Sequence, residues 1–156
     1  MNIVVRDFHP DDLTAIEDMI LNARNFGSPF LKPEKLRISV YNAFPEFGRI
    51  LIAYDSESEE IVGYASIQFD WKALVINSII THHNSLRIGI GKLMVNEIKK
   101  IGRAHPIIDV IRVDTGDFMA YAHEFYRSCG FEEVAYVPHY LSWNNHQMIF
   151  VYQLRK

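Results

Sequence analysis

Only one cysteine is present, Cys129, so no disulfide can close within the chain and no cysteine-rich metal site can form. Excess charge is lacking too. Lys and Arg number 16 against 19 Asp and Glu, a formal net charge of −3, and no basic stripe stands out that would hold a polyanion. That sets nucleic acid aside as a main partner. No apolar run is long enough to span a bilayer, and the opening MNIVVRDFHPDD has no signal-peptide core, so no membrane partner is expected. Internal repeats, low-complexity tracts and linker-like stretches are missing as well. The expectation is one continuous domain over residues 1–156, in a reducing cytoplasm. What the chain does have is apolar material: 49% hydrophobic and 13% aromatic residues, enough for a well-filled core or an apolar cleft.

The periodicities divide the chain cleanly. Ile3 to Arg6 reads as a short strand, and His9-Pro10-Asp11-Asp12 starts a helix with proline and acids in its first turn. Leu13, Ile16, Ile20 and Ala23 supply its apolar face. Gly27 to Pro29 break it, and Pro33 to about Phe44 supports a second, shorter helix. RILIAYD (49–55) and EIVGYASIQFD (60–70) read as strands joined by the polar turn Ser56-Glu57-Ser58-Glu59. ALVINSIIT (73–81) is nearly continuous in apolar residues, as a central strand covered on both faces should be. Ile90, Leu93, Met94, Ile98 and Ile101 then recur at helical spacing, with Lys92, Asn96, Lys99 and Lys100 on the other side. IIDVIRVDT (107–115) returns to strand. Phe118, Ala122, Phe125 and Cys129 mark one face of a helix that Gly130 stops, and FEEVAYV (131–137) and QMIFVYQL (147–154) close the fold as strands. The order is βααβββαβαββ.

Between the central strand and its following helix stands SLRIGIGKLMVNEIKK (85–100), with Gly89 and Gly91 two residues apart. The first amides of a helix have no internal acceptor, and the helix dipole leaves them partly positive, so such an end holds anions. Glycine lets the backbone bend and a phosphate approach with no Cβ in the way, so the amides from Arg87 through Lys92 could cradle a pyrophosphate. A tight turn or a close helix-to-sheet contact would explain the same glycines. Neither better-known phosphate loop fits. A Walker loop needs Gly-Lys-Ser/Thr four residues beyond a glycine, and a dinucleotide fingerprint needs a third glycine where Met94 stands.

Taken with the strand order and the Arg87-x-Gly89-x-Gly91 turn, the segment AHEFYRSCGF (122–131) resembles the GNAT superfamily of N-acetyltransferases, over nearly the whole chain. The resemblance implies an α/β (α+β) fold with a mixed, mostly antiparallel sheet flanked by helices. It implies acetyl-CoA as acyl donor, with its pyrophosphate wrapped by Leu86, Arg87, Ile88, Gly89, Ile90, Gly91 and Lys92. The pantetheine arm would be hydrogen-bonded by the backbone at Ile79, Ile80 and Thr81. Leu86 departs from the family where Gln or Arg is usual, and Arg87 is displaced by one. Because backbone amides make most of the phosphate contacts, the departure should weaken binding rather than abolish it. By the same resemblance Tyr126 lies near the thioester sulfur, binds the donor and is the general acid that protonates the departing thiolate. Family members often carry an Asn after the fifth strand, facing the donor. Here DTGDFMAYA puts Asp117 there instead, which the resemblance makes a donor-binding position and which is also suited to capping the helix.

The base that accepts the proton of the incoming amine is harder to assign. Many family members use a glutamate on the fourth strand or a water relay, and this strand offers Asn77 and Ser78, which leaves the base water-relayed or unidentified. His82 and His83 have a suitable intrinsic pKa, yet a loop pair reads as solvated surface. His123 and Glu124 read as exposed helix positions. His139, Trp143 and His146, in the loop PHYLSWNNHQ, would form an aromatic rim for the acceptor with Phe26, Phe30 and Leu31. No histidine pair shows a metal-ligand spacing, so no metal is assigned. Cys129 falls on the apolar helix face and reads as a small buried hydrophobe rather than a nucleophile. The function implied is direct transfer of an acetyl group to a primary amine of a small-molecule or peptide acceptor, the alternative being a non-catalytic CoA-binding module. Homodimers are frequent in the family.

Overall fold

The apolar run at 73–81 forms β4 (Ala73–Thr81), the middle strand of a seven-stranded sheet. A computed structural model describes residues 1–24 and 26–155. The sheet runs β1 (Ile3–Asp7), β2 (Gly48–Asp55), β3 (Glu60–Asp70), β4, β5 (Val110–Gly116), β7 (Asn145–Gln153), β6 (Glu132–Ser142). Every neighbouring pair is antiparallel except β4 and β5, which run parallel. The fold is therefore mixed and mostly antiparallel, with the element order that the periodicities predict.

Alternation along the inner strands feeds two cores. Leu51 and Ala53 of β2 join Ile90, Met94, Val95 and Ile98 of α3 (Ile90–Ala104) and Ala122 and Tyr126 of α4 (Ala120–Ser128). Ile50 and Ile52 point the other way, against Ile16, Met19 and Ile20 of α1 (Leu13–Asn22) and Ile38 and Tyr41 of α2 (Ser28–Ala43). Each helix thus buries an apolar stripe on one side of the sheet, which supplies most of its stability. Among the described residues no helix is long and apolar enough to cross a membrane.

Two irregularities in β4 shape one end of the sheet. Ser66 of β3 faces Ser78 while Ile67 faces Ile76, so Asn77 is an extra, bulged residue. The bulge reverses the phase of the strand: Leu74 and Ile76 pack towards α3 and α4, whereas Ile80 packs towards α1 and α2. The second irregularity is a short ladder. β4 and β5 pair only from Ala73 with Val110 to Ile76 with Val113, and beyond that the strands part.

Three sequence expectations need correction. The second helix starts at Ser28, five residues before Pro33, and is longer than the first. Pro29 is the proline of its first turn, and Pro33 sits inside, where it removes one early hydrogen bond while buried Glu34, Ile38 and Tyr41 hold the helix down. The first helix opens as a 3-10 turn, Pro10–Asp12, in which the Asp12 carboxylate accepts the His9 amide at 2.7 Å. PHYLSWNNHQ is a hairpin rather than a loop: Ser142 pairs with Asn145 across a two-residue turn. Alternation there is hidden because β6 is an outer strand with most of its residues exposed, so no apolar period marks it.

Candidate active site

The glycine turn leaves a run of backbone donors unused. Among the described residues, no acceptor takes the backbone N–H groups of residues 86–92; the first bond beyond them is Leu93 N–H to Gly89 O, 3.0 Å. Arg87 has φ 63° and Gly89 φ 90°, alternating left-handed positions of the kind that turn successive amides into one concavity. The turn is open to solvent from Leu86 to Gly89, and α3 begins immediately after it. The two glycines do different work. A Cβ on Gly89 would meet nothing within 4 Å, so its need for glycine is the left-handed backbone, and the space above it is free for a ligand. A Cβ on Gly91 would lie 3.0 Å from the Phe125 ring, so that glycine lets α3 approach α4.

The cradle sits at the end of the sheet where β4 and β5 separate. Past Ile76 and Val113, the edges of Asn77–Thr81 and Asp114–Gly116 that face one another have no ladder bonds. Ile79 and Thr81 turn their backbone groups to that free edge, where they can bond an extended ligand entering the gap, whereas Ile80, expected beside them, turns its own to Tyr64 of β3, in phase with the His82 N–H bond to Val62 O at 2.8 Å. Their other edge stays locked to β3 up to Thr81 opposite Gly63.

Tyr126 lies on the α3 and α4 side of the sheet, in the same buried cluster as Ile76 and Val113, the last pair of the β4–β5 ladder. Its ring is packed among Phe125, Phe131 and Phe150, at centroid distances of 5.2, 5.5 and 6.5 Å. Among the described residues nothing hydrogen-bonds its hydroxyl. Burial, then the neighbouring Cys129 and Tyr121, push the phenol well above its ordinary value, so it is a proton donor across the physiological range.

Two carboxylates lie on the opposite face, and sequence reading missed both. Asp114 is the first β5 residue beyond the ladder. It alternates with Ile111 and Val113, which face α3 and α4, and so stands on the other side of the opening. Its Oδ1 is 3.2 Å from Arg112 Nε, an ion pair without hydrogen-bond alignment, and both atoms are buried with no hydrogen-bond partner among the described residues. Glu34 of α2 is spent by contrast. It accepts the Ser78 hydroxyl at 2.8 Å, the Tyr64 hydroxyl and the Arg37 guanidinium, and burial, then the Glu34 charge, holds the Tyr64 phenol well up. Glu34 pins α2 to β4; Asp114 retains unused acceptor capacity.

The model of the acetyltransferase (GNAT) family matches residues 17–131. The chain belongs to the GNAT acetyltransferase family. Among solved structures, a GNAT-family acetyltransferase from Desulfovibrio desulfuricans superposes with a TM-score of 0.89 at 13% identity, over 99% of this chain and 100% of that one. The ribosomal-protein-S18-alanine N-acetyltransferase of Escherichia coli gives 0.77 at 15% identity, over 99% and 96%. Arabidopsis thaliana NAA60 in complex with acetyl-CoA gives 0.77 at 18%, over 97% and 98%. No curated protein matches the chain in sequence.

The remaining candidates of this GNAT chain are scattered. Asp117 does not cap α4, whose N-cap Met119 makes no side-chain bond; its carboxylate instead accepts the His146 amide at 3.1 Å and ties β5 to the last hairpin. A turn of two further residues before the helix puts it out of capping reach. His123 is buried, not exposed, with Nε2 donating to Gly116 O at 2.9 Å and its ring stacked on Phe150. Phe26 and Phe30 pair edge-on, while His139 stacks on Trp143 and touches His146. Among the described residues no ring contact joins these two groups into one rim. The α1–α2 link does reach α4, where Arg24 lies over the Tyr121 ring at 4.9 Å. Cys129 is half-buried against the core, and burial pushes its thiol up, which makes it a poor nucleophile.

Proposed function

We propose that this GNAT protein is an N-acetyltransferase that passes the acetyl group of acetyl-CoA directly to a primary amine of a small-molecule or peptide acceptor. One observation carries the reading: the unbonded amides of residues 86–92 stand at the mouth of a gap in the sheet flanked by a neutral phenol on one face and a carboxylate on the other. The donor fits the residues present, because an anion meets free N–H groups and open space over Gly89. When bound, it supplies an activated acetyl group and a thiolate leaving group.

The chain's own residues do the rest. The amides from Leu86 to Lys92 hold the pyrophosphate, with Arg87 and Lys92 adding charge. The free edge at Ile79 and Thr81 aligns the arm that carries the thioester. Asp114 takes the proton from the acceptor ammonium, directly or through one water, and so exposes the nitrogen lone pair. As the nitrogen bonds to the acetyl carbon and the carbon–sulfur bond breaks, Tyr126 gives its proton to the departing sulfur and regains one from the second proton that the acylated nitrogen sheds, the ring being fixed by Phe125, Phe131 and Phe150. Amine acceptors are named for two similar structures, the alanine N-acetyltransferase of E. coli and a spermidine/spermine N-acetyltransferase of Vibrio cholerae. The acidic balance of the chain favours a cationic acceptor, and its single cysteine suits the cytoplasm.

Calorimetric titration with acetyl-CoA, with Gly89→Asp as control, tests the donor site; release of free thiol in the presence of a panel of amines tests transfer. Saturable binding lost in the control and amine-dependent thiol release are expected. No binding by the wild type would remove the donor assignment. Binding without thiol release for any amine would make the protein a non-catalytic CoA-binding module. Sedimentation of the same sample tests whether it forms a homodimer.

A further inference from the structure

Beside the cradle, α1 meets the end of β4. One donor atom from each of Asp18, His82 and His83 lies within 4.8 Å of the other two. His82 Nε2 is 3.9 Å from Asp18 Oδ2, and the two imidazoles stack with centroids 4.2 Å apart. We propose that Asp18, His82 and His83 bind a divalent transition metal of the zinc class, and that binding resets the turn leading into the cradle.

The donor set selects the metal. Two imidazoles and one carboxylate suit Zn²⁺ and its neighbours, whereas Mg²⁺ and Ca²⁺ take oxygen donors. Zinc holds such ligands at about 2.0–2.2 Å, which puts neighbouring donors roughly 3.3 Å apart in a tetrahedron. Closing to that spacing takes rotation of the two exposed side chains: Asp18, whose Oδ1 accepts Asn22 Nδ2 at 3.2 Å, is 56% exposed, and His83 is exposed as well. The fourth position is left for water. The sequence conceals the site because the carboxylate comes from a different element, and the adjacent histidines are its only local sign.

Ligation has one unavoidable structural consequence. His82 Nδ1 accepts the Asn84 N–H at 3.1 Å, the bond that caps the 3-10 turn His83–Ser85. If Nδ1 ligates, its lone pair goes to the metal. If Nε2 ligates, the ring proton must sit on Nδ1, which then cannot accept. Either way the cap is lost. That turn runs directly into Leu86, so the ion and the free amides of the cradle are mechanically joined, and the ion also ties α1 to the turn.

The test is titration of the purified full chain with ZnCl₂ alone, in the wild type, Asp18→Ala, His83→Ala and His146→Ala. His146 belongs to the other histidine cluster, its ring 4.9 Å from that of His139, and serves as the control. One-to-one binding is expected in the wild type and the His146 variant. In Asp18→Ala and His83→Ala it should weaken at least about as much as the 10- to 100-fold that loss of an outer-shell partner costs. No binding by the wild type, or equal binding by the Asp18 and His83 variants, overturns the site. Amide NMR signals of Asn84 and of residues 86–92 should move on zinc addition; if the metal binds and these signals stay fixed, the resetting of the turn is wrong. Neither readout depends on acetyl-CoA, so failure here leaves the donor assignment standing.

Discussion

Replacing Tyr126 with phenylalanine separates chemistry from packing, because among the described residues the hydroxyl has no hydrogen-bond partner to lose. The ring contacts with Phe125, Phe131 and Phe150 survive the change. With no hydrogen bond broken and no cavity made, stability should change by no more than about 0.5 kcal/mol. For a chain of this length that is a Tm shift of roughly 1–2 °C. Removing the general acid, in contrast, should lower kcat by roughly 10²-fold while leaving the Kd for acetyl-CoA nearly unchanged. Steady-state thiol release, calorimetry and thermal denaturation on the same preparation read all three quantities. Tyr126→Ala is the contrasting variant, since deleting the buried ring should cost about 3–5 kcal/mol and confuse any loss of rate with loss of fold. An unchanged kcat in Tyr126→Phe would refute the acid assignment. A large drop in Tm would refute the premise that the hydroxyl is unbonded.

Asp114→Asn should lower kcat by roughly 10²-fold at neutral pH, with the deficit shrinking as pH rises and the acceptor amine deprotonates on its own; a deficit constant over pH would remove Asp114 as base. Gly89→Ala should cost about 1–2 kcal/mol through its left-handed backbone alone and retain donor binding, whereas Gly91→Ala should cost about 1–3 kcal/mol by crowding Phe125; urea denaturation checks both. Tyr64 and Tyr126 both hold their protons more tightly folded than unfolded, so their contribution to stability is complete below about pH 10 and falls as pH rises beyond it. The slope should approach about 1.4 kcal/mol per pH unit for each phenol and be shallower in Tyr126→Phe, as denaturation between pH 9 and 11 would show on the ~10 reference value.

Local signals reach most of the fold. The unbroken apolar run of β4 announces a strand buried on both faces, and the spacing of Ile90, Met94 and Ile98 announces the helix that covers it. The glycine turn is visible as well, but not the division of labour within it, because Gly91 answers to Phe125 on a distant helix. Asp114 escapes notice for a similar reason. Its importance comes from the ladder ending one residue earlier, a property of two strands together that neither carries alone. His123 looks like a surface residue until the carbonyl of Gly116 and the face of Phe150 are brought against it. The bulge at Asn77 leaves no periodic trace, since a single inserted residue only reverses a pattern that this apolar strand scarcely displays.

The parting of β4 and β5 has a further consequence for how the chain avoids its neighbours. An open strand edge ordinarily invites another protein to add a strand, and proteins blunt such edges with charge, bulges or covering segments. Here the vacant edge is interior. Each lip is bound along its far side, β4 to β3 and β5 to β7, so the two face one another across a wedge that narrows to hydrogen-bonding distance at Ile76 and Val113. A slender chain with a few amide groups can slide in, while a full strand flanked by its own sheet cannot. The molecule thereby offers the adhesiveness of a sheet edge to small guests and withholds it from aggregation.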